Sequence, residues 1–311
     1  MSDWTEADIP SQAGKVIVVT GANSGLGFEV ARAVAAKGAH VVIACRSLDK
    51  GQAAAERIRA VAPSASLEVE RLDLADLGSV RAFATAFAKR HERLDVLCNN
   101  AGVMALPQQR TKDGFEMQIG TNHLGHFALT GELLPVIRRT PGARVVTLTS
   151  TMHKIGFIRL DDIQWERGYK RWPAYGQSKI ANLMFAYELE RRFEREGIDA
   201  ISVAAHPGYA ATNLQLVGPA ASGSSFMKAF WRFSNRALAQ SAQMGALPTL
   251  YAMTEPSVRG GDFIGPSSLF ETRGHPAPAK AAPRAKDANT AARLWELSEQ
   301  LTHVRYLADT V

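Results

Sequence analysis

Apolar positions in this chain fall in short unbroken runs separated by longer amphipathic stretches. Residues 15–20 (Lys-Val-Ile-Val-Val-Thr) read as a strand covered on both faces, because no polar residue alternates with the valines. In 24–37, Leu26, Val30, Ala33 and Val34 share one face of a helix. The alternation then repeats. Strands are expected at 40–45, 67–72, 94–98, 144–149 and 199–205, with a short seventh at 261–264. Helices are expected at 48–61 behind a Ser47 cap, from Asp76 to about residue 91, over 111–139, and over 173–196 with Pro173 in the first turn. Regular strand–helix alternation predicts an α/β fold: a single doubly wound parallel sheet of about seven strands with helices on both faces.

Two stretches break the pattern, 214–223 and 273–286. The second, with His-Pro-Ala-Pro-Ala-Lys-Ala-Ala-Pro at 275–283, reads as a surface linker to a last helix at 288–301. The expected organisation is one domain over 1–311, with 214–235 as an insert that is either a substrate lid or ordinary packing, and 273–311 as a C-terminal tail. The net charge of +6 does not mark a nucleic-acid arm. Segments 1–150, 151–272 and 273–311 each carry two more basic than acidic residues, so the excess is diffuse. Two cysteines, Cys45 and Cys98, make no disulfide framework. The start (Met-Ser-Asp-Trp-Thr-Glu) is acidic and lacks an apolar signal core, and no apolar run reaches the roughly 18 residues of a membrane span. A cytoplasmic chain without membrane span is the expectation.

The turn after the first strand reads Thr20-Gly21-Ala22-Asn23-Ser24-Gly25-Leu26-Gly27. It lies between strand and helix, where a phosphate-cradling turn belongs, and it assigns the sheet to the Rossmann type. Gly21 permits the tight turn, Gly25 lets backbone approach a pyrophosphate, and Gly27 allows close helix–strand packing. The helix N-terminus adds unpaired N–H groups and a positive dipole end. The second strand ends Ala44-Cys45-Arg46, without the carboxylate that would bind an NAD ribose. Arg46 suits a 2′-phosphate, which favours NADP and makes NAD less likely. Asn23 and Ser24 are placed to touch that phosphate too. Asp73 and Leu74 end the third strand, where Asp73 could hold an adenine amino group or cap the next turn. Asn99-Asn100-Ala101-Gly102 ends the fourth. There Ala101 and Gly102 let a cofactor approach the backbone, and Asn99 could stabilise the sheet edge.

Tyr175 and Lys179 stand four apart on a helix and share a face. A tyrosine with a pKa of about 10 is a poor base at neutral pH, and a neighbouring ammonium would bring it down. The pair is therefore apt for moving a proton onto or off an alcohol oxygen, although an amphipathic helix produces the same spacing by chance. Ser150 ends the fifth strand and can donate to a carbonyl oxygen that gains charge. Asn122, expected inside a helix, needs buried partners, such as a water continuing a proton path from Lys179. No metal is expected: His123, His126, His153 and His206 are not spaced as a tetrahedral set.

Taken in order, Thr20-Gly21-x-x-x-Gly25-x-Gly27, Asp73-Leu74, Asn99-Asn100-Ala101-Gly102, Asn122, Ser150, Tyr175-x-x-Ser178-Lys179 and Pro207-Gly208 with Thr212 resemble the short-chain dehydrogenase/reductase family over about 12–272. The resemblance implies a catalytic tetrad Asn122–Ser150–Tyr175–Lys179. Tyr175 would be the acid/base, Lys179 would also bind the nicotinamide ribose, Ser150 would orient the carbonyl, and Asn122 would hold a relay water. It further implies that Tyr175, Pro207, Gly208 and Thr212 meet the nicotinamide half. Ala44-Cys45-Arg46, Asn122-His123-Leu124-Gly125-His126-Phe127, Gln177-Ser178-Lys179 and His206-Pro207-Gly208 are similar to the retinol dehydrogenase and protochlorophyllide reductase branch. That branch implies NADP and lipophilic alcohol or carbonyl substrates. Thr149-Ser150 departs from the usual Ser-Ser pair, and an N-terminal membrane anchor like that of many retinol dehydrogenases is not expected.

The expected function is NADP-dependent interconversion of an apolar alcohol and its aldehyde or ketone. The expected pocket walls are 103–106, 155–158, Trp172 and 214–233. The alternative is a non-catalytic NADP sensor or scaffold on the same fold. An epimerase would need a larger C-terminal substrate domain than the tail offers. No nucleic-acid partner is expected. The helices at 111–139 and 173–196 resemble those that pair in family dimers, so a homodimer or homotetramer is the expected assembly.

Overall fold

The computed structural model describes residues 3–208, 240–268 and 270–306. Eight strands form one sheet: β1 (Val16–Thr20), β2 (His40–Cys45), β3 (Ser66–Arg71), β4 (Val96–Asn99), β5 (Ala143–Leu148), β6 (Ala200–Ala205), β7 (Phe263–Ser268) and β8 (Arg273–Pro278). Their spatial order is β3-β2-β1-β4-β5-β6-β7-β8, and all pairings are parallel except β7 with β8. The order reverses between β1 and β4, which opens a crevice at the carboxyl ends of the strands there.

The helices are α1 (Gly25–Ala36), α2 (Leu48–Val61), α3 (Leu77–Arg90), α4 (Met117–Ile119), α5 (Gly125–Arg138), α6 (Arg171–Glu196), α7 (Ala242–Thr254) and α8 (Ala288–Thr302). Neighbouring strand residues go to opposite layers. Ile17, Val41, Ile43 and Cys98 pack with α1, α2 and α7, whereas Val18, Val42, Ala44 and Leu97 pack with α3, α5 and α6. This is why the strands are apolar throughout instead of alternating. No helix among the described residues is long and apolar enough to cross a membrane.

Three sequence expectations are corrected here. The stretch 273–286 is not a linker: Arg273–Pro278 forms edge strand β8. An edge strand tolerates proline because one side of it needs no ladder donor, and Pro276 lies opposite Pro266. Strand β7 also starts two residues later than expected and runs longer. The helix expected over 111–139 begins only at Met117. Thr111 and Phe115 close a turn around Gly114, which has φ 86°, and the Glu116 carboxylate caps the start through the Gln118 and Ile119 amides at 3.0 and 2.8 Å. Between α4 and α5, Gly120–Leu124 winds as a π-helix that carries Asn122. The final helix occupies Ala288–Thr302. The segment expected at 214–235 lies outside the described residues.

Candidate active site

The crevice at the reversal point is walled by the Gly-rich turn, the ends of β2 and β3, and the loop after β4. Gly21 and Gly25 take φ of 68° and 56°, in the left-handed region that glycine adopts without strain. A Cβ on Gly27 would come 2.5 Å from Asn100 Nδ2 and 2.6 Å from the Gly21 carbonyl oxygen, so the third glycine sets how closely α1 meets the turn. Ser24 is the N-cap of α1, yet its hydroxyl makes no capping hydrogen bond. The helix start therefore faces the crevice with unpaired amides. Asn23, Ser24, Gly25, Leu26 and Gly27 all line it.

Arg46, just after β2, lines the crevice, and so does Lys50 in the first turn of α2. Lys50 was not expected here, because the start of α2 brings it to the crevice and no motif marks it. Asp73 lines the crevice and also accepts from the Ala75 amide at 3.0 Å, so its cap role is real. Leu74, Ala101 and Gly102 line it as expected. These residues fit a dinucleotide: an amide-rich turn, two exposed cations, and Asp73 as the one carboxylate among the lining residues.

Asn99 is a correction. It is fully buried, does not line the crevice, and its amide donates to Thr130 Oγ1 at 3.1 Å. It fastens the sheet to α5. The lining residue is Asn100, whose amide donates to the Thr20 carbonyl oxygen at 2.7 Å. Thr20 was not singled out either. Its hydroxyl oxygen accepts from the Asn100 and Ala101 backbone amides, both at 2.9 Å.

At the reacting end, the Ser150 side chain stands close enough to the Tyr175 hydroxyl to lower its pKa. Ser150 caps the short 3-10 turn Thr151–Lys154, accepting from the Met152 amide at 3.3 Å. His153 holds the serine from behind. Its Nε2 accepts from the Ala282 amide at 3.2 Å, so Nδ1 carries the proton and donates to the Ser150 carbonyl oxygen at 2.7 Å. Thr149, which replaces the expected serine, donates to the Lys179 carbonyl oxygen at 2.6 Å and fixes α6 to the end of β5. A Cβ on Gly156 would lie 2.2 Å from the Gly176 carbonyl oxygen, so the loop after Ser150 rests directly on α6 beside Tyr175.

Burial pushes the Tyr175 hydroxyl up to about 12, against a smaller lowering effect of the neighbouring Ser150 hydroxyl. Burial also lowers Lys179 to about 8. The sequence reading expected the lysine to depress the tyrosine. In the structure Lys179 Nζ stands 5.8 Å from the Tyr175 ring centre and 3.4 Å from the Leu148 carbonyl oxygen, and desolvation prevails. At neutral pH the site therefore holds a protonated phenol beside an ammonium.

The Asn122 side chain is engaged on both sides of its amide. Both amide hydrogens are taken, by the Val103 carbonyl oxygen and Ser178 Oγ at 2.9 Å each, and Oδ1 accepts from the Val103 amide at 2.7 Å. Ser178 in turn donates to the Tyr175 carbonyl oxygen at 2.8 Å. Asn122 is thus a positioning residue linking the loop after β4 to α6. A Cβ on Gly102 would stand 3.1 Å from Asn122 Oδ1 and 3.5 Å from Lys179 Nζ, which places the crevice wall directly against the reacting end.

Pro207 and Gly208 follow β6 at the same sheet edge. The Gly208 amide donates to His206 Nδ1 at 3.2 Å, and the Pro207 carbonyl oxygen accepts from Gln240 Nε2 at 2.7 Å. Neither lines the crevice described above, and Thr212 lies outside the described residues. Trp172 stacks edge-on to Tyr175 with ring centres 6.4 Å apart. Ile155 and Phe157 are exposed at 58% and 61%.

Comparison with known proteins agrees with this geometry. The family model for short chain dehydrogenases matches residues 15–217. Mouse "Retinol dehydrogenase 12" is 39% identical over 97% of this chain and 90% of that relative. Human "Retinol dehydrogenase 13" is 38% identical over 96% and 86%. A solved structure of an uncharacterized protein from Mycobacterium Paratuberculosis is 45% identical, covers 99% of this chain and 100% of its own, and superposes with a TM-score of 0.82.

Proposed function

We propose, for a chain that belongs to the short chain dehydrogenase family and so acts as an oxidoreductase between alcohol and carbonyl groups, that NADP is its cofactor and Tyr175 its acid/base. A bound nicotinamide supplies or accepts the hydride. The remaining chemistry belongs to the side chains. In reduction, Ser150 and Tyr175 hold the substrate oxygen between their hydroxyls, where negative charge develops as the carbonyl carbon is reduced. Tyr175 then gives its proton to that oxygen. Its raised pKa keeps it protonated and ready to do so at neutral pH. Lys179 keeps an ammonium below the phenol and stabilises the phenolate left behind.

The observation that carries the reading is the Ser150–Tyr175 hydroxyl pair, placed next to a crevice shaped for a dinucleotide. Arg46 and Lys50 support NADP over NAD, since they add two charge-assisted donors where a 2′-phosphate would lie. Trp172, edge-on to Tyr175, favours an apolar substrate, as do the retinol dehydrogenase names of the relatives. The test is incubation with NADPH and a panel of lipophilic aldehydes and ketones, followed through the absorbance of the reduced nucleotide. Turnover of at least one apolar carbonyl is expected. Nucleotide binding without turnover of any would favour the sensor reading instead.

A further inference from the structure

The lower edge of the sheet, away from the crevice, gathers three metal-ligating side chains from three elements. His40 opens β2, Glu68 lies within β3, and His91 is the C-cap residue of α3. The sheet register sets the first two. His40 pairs with Ser66 across the β2–β3 ladder, and Glu68, two residues on, shares their face. That face is the one α3 covers, because Val42 and Ala44 of β2 pack with Val80, Phe83 and Phe87. The end of α3 therefore delivers His91 over the same spot.

His40 Nε2 and His91 Nε2 both converge on Glu68 Oε2, at 3.3 and 2.9 Å, and the three atoms lie within 4.8 Å of one another. Ligands around a tetrahedral zinc with bonds of about 2.1 Å stand ~3.4 Å apart, so little movement is needed to close the site. His40 Nδ1 lies 2.7 Å from Ser66 Oγ. A proton on Nδ1 donated to that hydroxyl leaves Nε2 with a free lone pair, which is the support a ligating imidazole normally has. Arg90 does not compete for the same oxygen. It is hydrogen-bonded to Glu70 Oε1 at 2.6 Å and stands against Glu68 Oε1, leaving Oε2 to the imidazoles. The three side chains keep 13–30% of their surface open, so solvent can reach a fourth position.

We propose that His40, Glu68 and His91 form a His₂Glu site for one divalent ion of the zinc class, which clips the end of α3 to the β2–β3 edge. Two imidazoles select a borderline ion over magnesium, which prefers oxygen ligands. The site lies at the start of β2 while the crevice lies at its end, so the ion takes no part in the reaction. Sequence spacing gave no sign of it, because each ligand comes from a different element.

The test is equilibrium dialysis of the full chain against zinc chloride, with His40→Ala, Glu68→Gln and His91→Ala variants. One zinc per chain is expected, with each variant binding ~10-fold more weakly or worse and magnesium not competing. Cobalt(II) loaded onto the unaltered protein gives a readout independent of the variants. The intense visible bands of a four-coordinate ion support the site. Absence of saturable zinc uptake, uptake that the three variants leave unchanged, or a pale six-coordinate cobalt spectrum would overturn it.

Discussion

The Thr20 hydroxyl lies 2.9 Å from His126 Nε2 and ties the end of β1 to α5 behind the nucleotide crevice. The tautomer follows from the other ring nitrogen. His126 Nδ1 faces the Asn122 carbonyl oxygen at 2.9 Å, and a carbonyl only accepts, so Nδ1 carries the proton and Nε2 accepts from Thr20. The threonine oxygen is then turned toward the Asn100 and Ala101 amides that it receives. One buried hydroxyl thus fixes the loop after β4, and the histidine fixes the hydroxyl.

Replacing Thr20 by valine keeps the shape and removes all three bonds. It leaves the half-buried Ala101 amide and the His126 Nε2 without partners, while the Asn100 amide keeps the Cys98 carbonyl oxygen. Stability should fall by about 1–3 kcal/mol, and the nucleotide should bind more weakly because its wall loosens. Urea unfolding and titration with NADP check both. A variant as stable and as tight as the original would contradict the network.

The two cations lining the crevice predict a cofactor preference. NADP should bind more tightly than NAD, and Arg46→Ala should narrow the gap by ~10-fold, the size of one charge-assisted contact. Lys50→Ala should narrow it further. Dissociation constants for both nucleotides with each variant are the measurement. Equal affinity of the original protein for the two would remove the argument.

Burial lowers His123 to about 3 and His126 and His153 to about 4. The folded protein therefore keeps these imidazoles neutral, whereas the unfolded chain protonates them near their ordinary value of about 6.5. Between about pH 6.5 and 4 the unfolded state binds more protons, so stability must rise with pH there and fall on acidification. Each histidine contributes a slope approaching about 1.4 kcal/mol per pH unit. Urea unfolding at pH 7, 6 and 5 should show the loss. Constant stability across that range would contradict neutral burial.

The sheet was legible because doubly covered strands leave unbroken apolar runs, as at Val16–Thr20 and His40–Cys45. Strand β8 was not, because its prolines mimic a linker, and only its edge position makes them tolerable. The start of the helix before Asn122 was also misread. A turn closed by Thr111 and a carboxylate cap at Glu116 has little apolar signature. In the site, the glycines, Ser150, Tyr175 and Lys179 were readable from motif and spacing. Asn99 and Asn100 were confused, although neighbours at a strand end point to opposite sides and only one can face the crevice. Thr20 and His126 escaped because each acts through a contact distant in sequence. Of that network, only the four-residue spacing from Asn122 to His126 was visible in the sequence.

The central claim is that Tyr175 moves the proton while the crevice binds the nucleotide. Tyr175→Phe removes one oxygen and leaves the surrounding packing intact. With NADPH and an apolar carbonyl that the unaltered protein reduces, kcat should fall by ~10²–10⁴-fold. The dissociation constant for NADPH should stay within about threefold, because the Gly-rich turn, Arg46 and Lys50 are untouched. Turnover by the phenylalanine variant at the original rate would contradict the account.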